Sequence, residues 1–82
     1  MNERWRTYKS KYPNSILLFR SGDYYTCYNE DAEEAARICC ITLHDPNKAG
    51  FPAYSIKTVL DKLFAAEKHV VYCGSIDKLL NN

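Results

Sequence analysis

The segment from Arg20 to Thr26 holds the side chains of this 82-residue chain that are best suited to contact a ligand. It reads Arg-Ser-Gly-Asp-Tyr-Tyr-Thr and follows an apolar run at residues 16–19. Gly22 permits a positive φ in a tight turn, and the flanking apolar and aromatic residues suit a pleated sheet. The pattern predicts a β-hairpin with a cation, a hydroxyl and flat rings near its bend. Such a hairpin can stack a ring on a ligand, or it can pack its rings into a core.

Residue types that bind metals or form covalent intermediates are present, but their spacing does not favour either chemistry. The sequence has four cysteines and two histidines, with no C-x-x-C and no ligand-like spacing between a histidine and a cysteine. Cys39 and Cys40 are adjacent and cannot easily bridge each other. Because free cysteine behaves as a small hydrophobic residue, we predict buried, reduced, structural thiols. The sequence therefore predicts no metal, no cofactor and no enzymatic activity.

Apolar periodicity and turn residues predict the elements that position the hairpin. The predicted order is a helix at about 2–12, strands at 16–20 and 24–28, a helix capped by Asn29, a strand at 41–44, a loop at 45–50, a helix capped by Ser55, a strand at 70–73 and a short terminal helix at 76–80. This order, α-β-β-α-β-α-β, predicts an α/β chain of the α+β type. We expect a single domain over residues 1–82, with helices packed on a small mixed sheet.

Two of the predicted helices have regular apolar faces. In the first of these, acids at Glu30 and Asp31 suit the positive end of the helix dipole. Its apolar positions are Ala32, Ala35, Ala36, Cys39 and Cys40. In the helix after Ser55 the corresponding positions are Ile56, Val59, Leu60, Leu63 and Phe64. Both faces are expected to lie against the sheet.

The ordered series of these segments resembles the first domain of the MutS mismatch-repair proteins. That family shows a P-x-x-I-L-L-F-R-x-G-D-F-Y-E-x-F-x-x-D-A block near its N-terminus. The positions that fit the block are Pro13, residues 16–20, Gly22, Asp23, Tyr25, Asp31 and Ala32. Further along, residues 49–52 resemble the family's A-G-[IF]-P turn, and Cys73 stands at the family's cysteine. The resemblance spans roughly residues 8–77 and implies a small mixed sheet with helices.

The resemblance also implies a reading site at the hairpin. In the family, the phenylalanine of F-x-E wedges into the base stack and the glutamate hydrogen-bonds the displaced base. By position these residues are Tyr24 and Thr26 here. Tyrosine keeps a flat ring, and stacking on a base is worth about 1–3 kcal/mol. Threonine can still donate a hydrogen bond, but it is shorter than glutamate and uncharged.

On this basis the candidate DNA-binding residues are Tyr24, Thr26, Arg20, Asp23 and Lys48. Tyr24 is the candidate wedge, Thr26 offers a hydroxyl to a base, and Arg20 and Lys48 could reach phosphates. Each also has a structural interpretation. Tyr24 suits a cross-strand pair, Arg20 could pair with Asp23 across the bend, and Lys48 could be a solvated loop residue.

The overall charge limits how strongly the isolated domain can bind nucleic acid. Eleven basic and ten acidic residues give a net charge of +1. Dedicated DNA binders usually show a basic excess, because phosphate neutralisation supplies most of their affinity. No apolar run approaches the ~18 residues of a membrane helix, and the charged N-terminus does not resemble a signal peptide. We therefore expect a cytoplasmic protein with no membrane contact. The resemblance implies double-stranded DNA, matched or mismatched, as its partner, and the low net charge predicts that the isolated domain binds it weakly.

Two functions remain open at this point. The first is a non-enzymatic DNA-binding module that probes duplex through the hairpin, with Tyr24 inserted in the minor groove. The second is a protein-interaction or regulatory module that keeps the fold and has lost mismatch reading. In that case the hairpin tyrosines and Trp5 would anchor other protein domains or subunits, since Tyr and Trp dominate interface hot spots.

Overall fold

A computed structural model describes residues 3–44 and 47–75. The elements in this part of the chain are α1 (Glu3–Lys11), β1 (Ser15–Ser21), β2 (Tyr24–Tyr28), α2 (Asn29–Cys39), β3 (Leu43–His44), β4 (Lys48–Pro52), a 3-10 turn (Ala53–Ser55), α3 (Ile56–Ala65) and β5 (His69–Ser75). The strands form one mixed sheet in the order β3-β4-β2-β1-β5, in which β1 and β5 are parallel and the other pairs antiparallel. The predicted fold class, α/β of the α+β type with a small mixed sheet, is confirmed. The helix predicted at 76–80 lies outside the described residues.

The strand β4 is absent from the predicted order of elements. The loop prediction is wrong for residues 48–50, because residues 48–52 pair with β2 along its whole length, from Tyr28↔Lys48 to Tyr24↔Pro52. Ala49 and Phe51 alternate into the core with the period of two that a strand requires. Gly50 and Pro52 obscured this pattern because both residues usually indicate turns. Residues 3–44 and 47–75 therefore contain one more strand than the predicted order.

The predicted hairpin is confirmed, with a turn of two residues. Ser21 pairs with Tyr24, so only Gly22 and Asp23 form the connection. Gly22 has φ +59°, and Asp23 is not in the left-handed region, which is typical of a type II′ turn. Because β4 continues to the level of Tyr24, the bend is the end of a three-stranded segment rather than a free two-stranded arm.

The two faces of the sheet carry separate cores, because alternate residues of a strand point to opposite sides. Helices α2 and α3 cover the first face, whose buried residues include Ile16, Leu18, Cys27, Ala32, Ala35, Cys39, Ala49, Phe51, Val59 and Leu63. Helix α1 covers part of the second face, where the buried residues are Trp5, Leu17, Phe19 and Cys73. We call this second side the α1 face.

The carboxylate of Asp31 joins α1 to the rest of the domain. Asp31 is 2% exposed, and its Oδ2 accepts hydrogen bonds from Trp5 Nε1 at 2.9 Å and from the Leu17 backbone N–H at 3.2 Å. Its Oδ1 accepts from Lys9 Nζ at 2.7 Å, and the same ammonium donates to the Ser15 carbonyl at 2.6 Å. Asp31, in the first turn of α2, therefore links this helix to α1 and β1. Trp5 is buried in this arrangement, so its predicted role as an exposed anchor is wrong.

Both predicted caps lack a side-chain hydrogen bond. Tyr28, not Asn29, precedes α2, and Asn29 has φ +55° with its N–H donating to the Asn47 carbonyl at 2.9 Å. A side-chain cap needs an extended backbone at its position, and Asn29 does not have one. Ser55 ends the 3-10 turn with φ −92° and ψ 6°, so it also lacks the extended backbone of a cap.

Two predicted apolar positions lie at the surface. The buried thiols are Cys27, Cys39 and Cys73, but Cys40 is exposed. Helix α2 ends at Cys39, and Cys40 adopts the left-handed conformation with φ +60°, so it leaves the apolar stripe. Phe64, near the end of α3, is 55% exposed, whereas Val59 and Leu63 are buried. The buried parts of both stripes are otherwise as expected, with Ala36 half-buried.

Burial of Cys27 predicts a loss of stability at alkaline pH. Desolvation, followed by the nearby Asp31 carboxylate, raises the pKa of the Cys27 thiol from 9.0 to about 12. Since the unfolded chain ionises this thiol first, the associated stability is complete below pH 9 and declines as pH rises towards 12. The urea concentration at the unfolding midpoint should therefore fall more between pH 8 and pH 10.5 for the native sequence than for Cys27→Ala. Equal declines would contradict the role of this thiol.

Candidate nucleic-acid interface

Tyr24 lies on the α1 face, directly after the bend. Its cross-strand neighbours are Ser21 of β1 and Pro52 of β4. Two residues further along β2, Thr26 pairs with Phe19, which packs against α1 and fixes the side of the sheet to which Tyr24 points. Tyr24 is 52% exposed, so its ring is directed outward rather than sealed beneath a helix.

Thr26 is the polar neighbour of Tyr24 on the same face. It is 6% exposed and lies opposite Gly50 of β4. No residue of the described chain makes a hydrogen bond to its hydroxyl, and no buried side-chain polar atom there is left unsatisfied. The hydroxyl is therefore not completely sealed from solvent. A threonine hydroxyl both donates and accepts hydrogen bonds.

Arg20 lies on the opposite face, against Tyr25. Its Nε donates to the Gly22 carbonyl at 2.7 Å, and its guanidinium lies 5.3 Å from the Tyr25 ring centroid. Tyr25 in turn stacks on Phe51, with 5.5 Å between the ring centroids. The predicted alternative of an Arg20–Asp23 ion pair is wrong, since the arginine binds the turn backbone instead. Arg20 therefore supports the bend from behind the face that carries Tyr24.

The bend is fixed by hydrogen bonds to both of its carbonyls. Asp23 is exposed, and its carbonyl accepts from the Ala53 N–H at 2.7 Å. The Gly22 carbonyl accepts from Arg20, as described above. These contacts join the turn to β1 and to the segment after β4. The backbone that carries Tyr24 is therefore held from two sides.

Lys48 is separated from the other candidates but shares the face of Tyr24. It begins β4, it is exposed, and it pairs with Tyr28 at the far end of β2. Four residues of strand separate it from the level of Tyr24, a distance of about 13 Å at 3.3 Å per residue. That length corresponds to about four base-pair steps of duplex DNA. The structure thus brings Tyr24 and Thr26 together, and it places Lys48 at the other end of the same surface.

The described part of the chain lacks two other kinds of functional feature, a metal-binding cluster and a membrane-spanning helix. Within residues 3–44 and 47–75, no three His, Cys, Asp or Glu side chains come together in a way that could hold a metal ion. The helices of the same part of the chain are all too short or too polar to cross a membrane.

Gly50 lies beside Tyr24 and Thr26, but the sequence did not indicate that it belongs to the site. A Cβ built on it would lie 3.0 Å from the Tyr25 carbonyl oxygen, 3.8 Å from Tyr24 Cδ2 and 3.9 Å from Thr26 Oγ1. The alternation of Ala49 and Phe51 around it was the available signal of a strand. Only the register with β2 places Gly50 beside Thr26.

Comparison with known proteins identifies the family. The family model described as MutS domain I matches residues 1–81. The DNA mismatch repair protein MutS of Christiangramia forsetii is 40% identical over 82 residues, covering 92% of this chain and 9% of that protein. The protein of the same name from Phocaeicola vulgatus is 40% identical, and the match covers 84% of this chain and 9% of that protein. The one from Flavobacterium johnsoniae is 39% identical, with 92% of this chain and 10% of that protein covered. The chain spans about a tenth of the length of these curated relatives. The resemblance is thus confirmed, and the chain belongs to the MutS domain I family.

Proposed function

We propose that this domain binds double-stranded DNA and probes it for mismatches through the β1–β2 hairpin, with Tyr24 as the stacking side chain. The relatives are DNA mismatch repair proteins by name. The observation that carries the proposal is the half-exposed Tyr24 ring on a bend whose two carbonyls are both hydrogen-bonded. Because the backbone of the bend is held in this way, insertion of the ring between bases costs little backbone conformational freedom.

The chemistry of the site suits a minor-groove wedge. Side chains that open a base step unstack it at a cost of a few kcal/mol, and a mismatched step costs least. Stacking of Tyr24 would return about 1–3 kcal/mol. The Thr26 hydroxyl lies beside the ring and has no protein partner in the described chain, so it can bind the edge of a displaced base. The pair therefore favours DNA that is already weakened.

The charge distribution supports a reading role rather than strong binding. Lys48 shares the face of Tyr24 and lies within reach of a phosphate further along the duplex. With a net charge of +1, the domain neutralises few phosphates, so its affinity alone is weak and only modestly salt-dependent. We infer a binding domain without catalytic chemistry, which acts in the cytoplasm in DNA mismatch repair.

A second candidate function, a protein-interaction module, draws on a different surface. Phe64 and Tyr72 are 55% and 57% exposed, and they border an apolar cavity of about 290 Å³ between α3 and β5. This cavity is on the face opposite Tyr24, so contacts at the two surfaces can be distinguished. The buried Trp5 takes no part in either surface.

An NMR titration of the labelled domain with short duplexes tests the proposal. At about 0.5 mM protein and low salt, above the ~10⁻⁴ M dissociation constant typical of nonspecific binding, amide shifts are expected at Tyr24, Thr26 and Lys48. A mismatched duplex should shift these signals at lower concentration than a matched duplex of the same length. Absence of shifts at Tyr24, or shifts confined to Phe64 and Tyr72, would remove the hairpin as the reader.

A further inference from the structure

We propose that Gly50 is a specificity-determining position of the reading site, because its lack of a side chain keeps the Thr26 hydroxyl open to a displaced base. This inference rests on the proposed function and deepens it. It adds a residue of β4 to a site otherwise formed by β2. It also assigns mismatch preference, as distinct from general DNA affinity, to the Gly50–Thr26 pair.

Backbone conformation does not explain why position 50 is occupied by glycine. Gly22 and Gly74 have positive φ values, whereas Gly50 does not, so another residue could adopt its backbone angles. The constraint at Gly50 is the space around it. A Cβ would meet the Tyr25 carbonyl oxygen at 3.0 Å, which β2 and β4 could accept only by moving apart by a few tenths of an ångström.

The missing side chain would lie between the two reading residues. Gly50 pairs directly with Thr26, and side chains at directly paired positions point to the same face. A Cβ there would lie 3.8 Å from Tyr24 Cδ2 and 3.9 Å from Thr26 Oγ1, in ordinary contact with both. A base atom that approached Thr26 Oγ1 from the side of Gly50 would collide with this Cβ, so even the methyl group of alanine would obstruct the hydroxyl.

The two contacts predict different effects on recognition. Stacking on Tyr24 tolerates any base, since every base has a flat face. A hydrogen bond from the Thr26 hydroxyl requires a donor or acceptor in the right place, so it discriminates between displaced and paired bases. Covering the hydroxyl should therefore reduce the preference for mismatched DNA more than it reduces binding to matched DNA.

The test compares Gly50→Ala, Thr26→Val and the double variant by fluorescence anisotropy on matched and mismatched duplexes. Because a neutral hydrogen bond contributes on the order of 1 kcal/mol, each single variant should lower the mismatched-to-matched affinity ratio about fivefold. The double variant should lower it no further, since both changes remove the same contact. An unchanged ratio in Gly50→Ala, or additive losses in the double variant, would overturn the inference.

Two controls keep the test decisive. Thermal unfolding followed by circular dichroism shows whether Gly50→Ala still folds. If it does not fold, the isosteric variant Thr26→Val decides alone, and an unchanged mismatched-to-matched affinity ratio in that variant overturns the inference. If the native domain binds neither duplex, the proposed function fails and this inference fails with it. If the native domain prefers the mismatch and Gly50→Ala keeps that preference, only the role of Gly50 is lost.

Discussion

Replacement of Asp31 by alanine is expected to destabilise the domain by about 3–5 kcal/mol, the usual effect of removing one partner from a buried ion pair. The carboxylate is 2% exposed and accepts three hydrogen bonds, from Trp5, Lys9 and Leu17. Its loss leaves two buried N–H groups without acceptors and the Lys9 ammonium without its counter-ion. Since small domains are stable by only about 5–15 kcal/mol, this is a large fraction of the total.

Urea unfolding followed by circular dichroism measures this change, and Glu34→Ala is the matched control. Glu34 lies on the same helix and pairs with Lys68 and Arg37, but at the surface. Removing its side chain should cost no more than about 1 kcal/mol. Similar free energies of unfolding for the two variants would show that Asp31 is not the residue that holds α1 to the sheet.

Replacement of Tyr24 by alanine is expected to weaken binding of a mismatched duplex by roughly 5-fold to 150-fold, which corresponds to the loss of a stacking contact worth about 1–3 kcal/mol. The ring is 52% exposed, so its removal leaves no cavity in the core. The free energy of unfolding should change by less than about 0.5 kcal/mol. Anisotropy titrations at low salt, paired with thermal unfolding, measure both quantities.

Two control variants separate stacking from other effects of the substitution. Phe64→Ala removes a ring of similar exposure from the opposite side of the sheet and should leave DNA affinity unchanged. Tyr24→Phe keeps the ring and removes a hydroxyl whose desolvation opposes insertion, so it should bind the mismatch at least as tightly. Equal losses in Tyr24→Ala and Phe64→Ala would contradict the assignment of Tyr24 as the stacking residue.

The two sites are expected to respond independently, because they lie at opposite ends of β2. Asp31 follows the end of the strand at Tyr28, and Tyr24 begins it beside the bend. The hydrogen bond from Trp5 to Asp31 keeps α1 packed on the α1 face. The bend is held separately by Arg20 and by the Ala53 N–H. A variant that unfolds the domain is therefore distinguishable from one that removes only its reading function.

Local signals were sufficient for much of the architecture. The turn at Gly22 follows from a backbone conformation that other residues rarely adopt, and the three main helices follow from the spacing of apolar residues. The hairpin was predicted in this way, whereas the outward role of Tyr24 was implied by the resemblance. In contrast, Phe64 has the correct helical spacing but lies near the end of α3, where the core no longer covers it. Periodicity shows which side of a helix is apolar, but not how far along the helix the core extends.

By itself the sequence determined the three main helices, the tight turn and the individual motifs that identify the family, because each depends on residues close together in the chain. Only the tertiary structure decided that residues 48–52 form a strand, that Asp31 is buried beneath Trp5, and that Gly50 lies beside Thr26. Each of these outcomes requires a partner twenty or more residues away. A strand is stabilised by the hydrogen bonds and side-chain neighbours of the adjacent strand, and a carboxylate can be buried only where donors converge on it. Such partners are fixed by the packing of the whole chain.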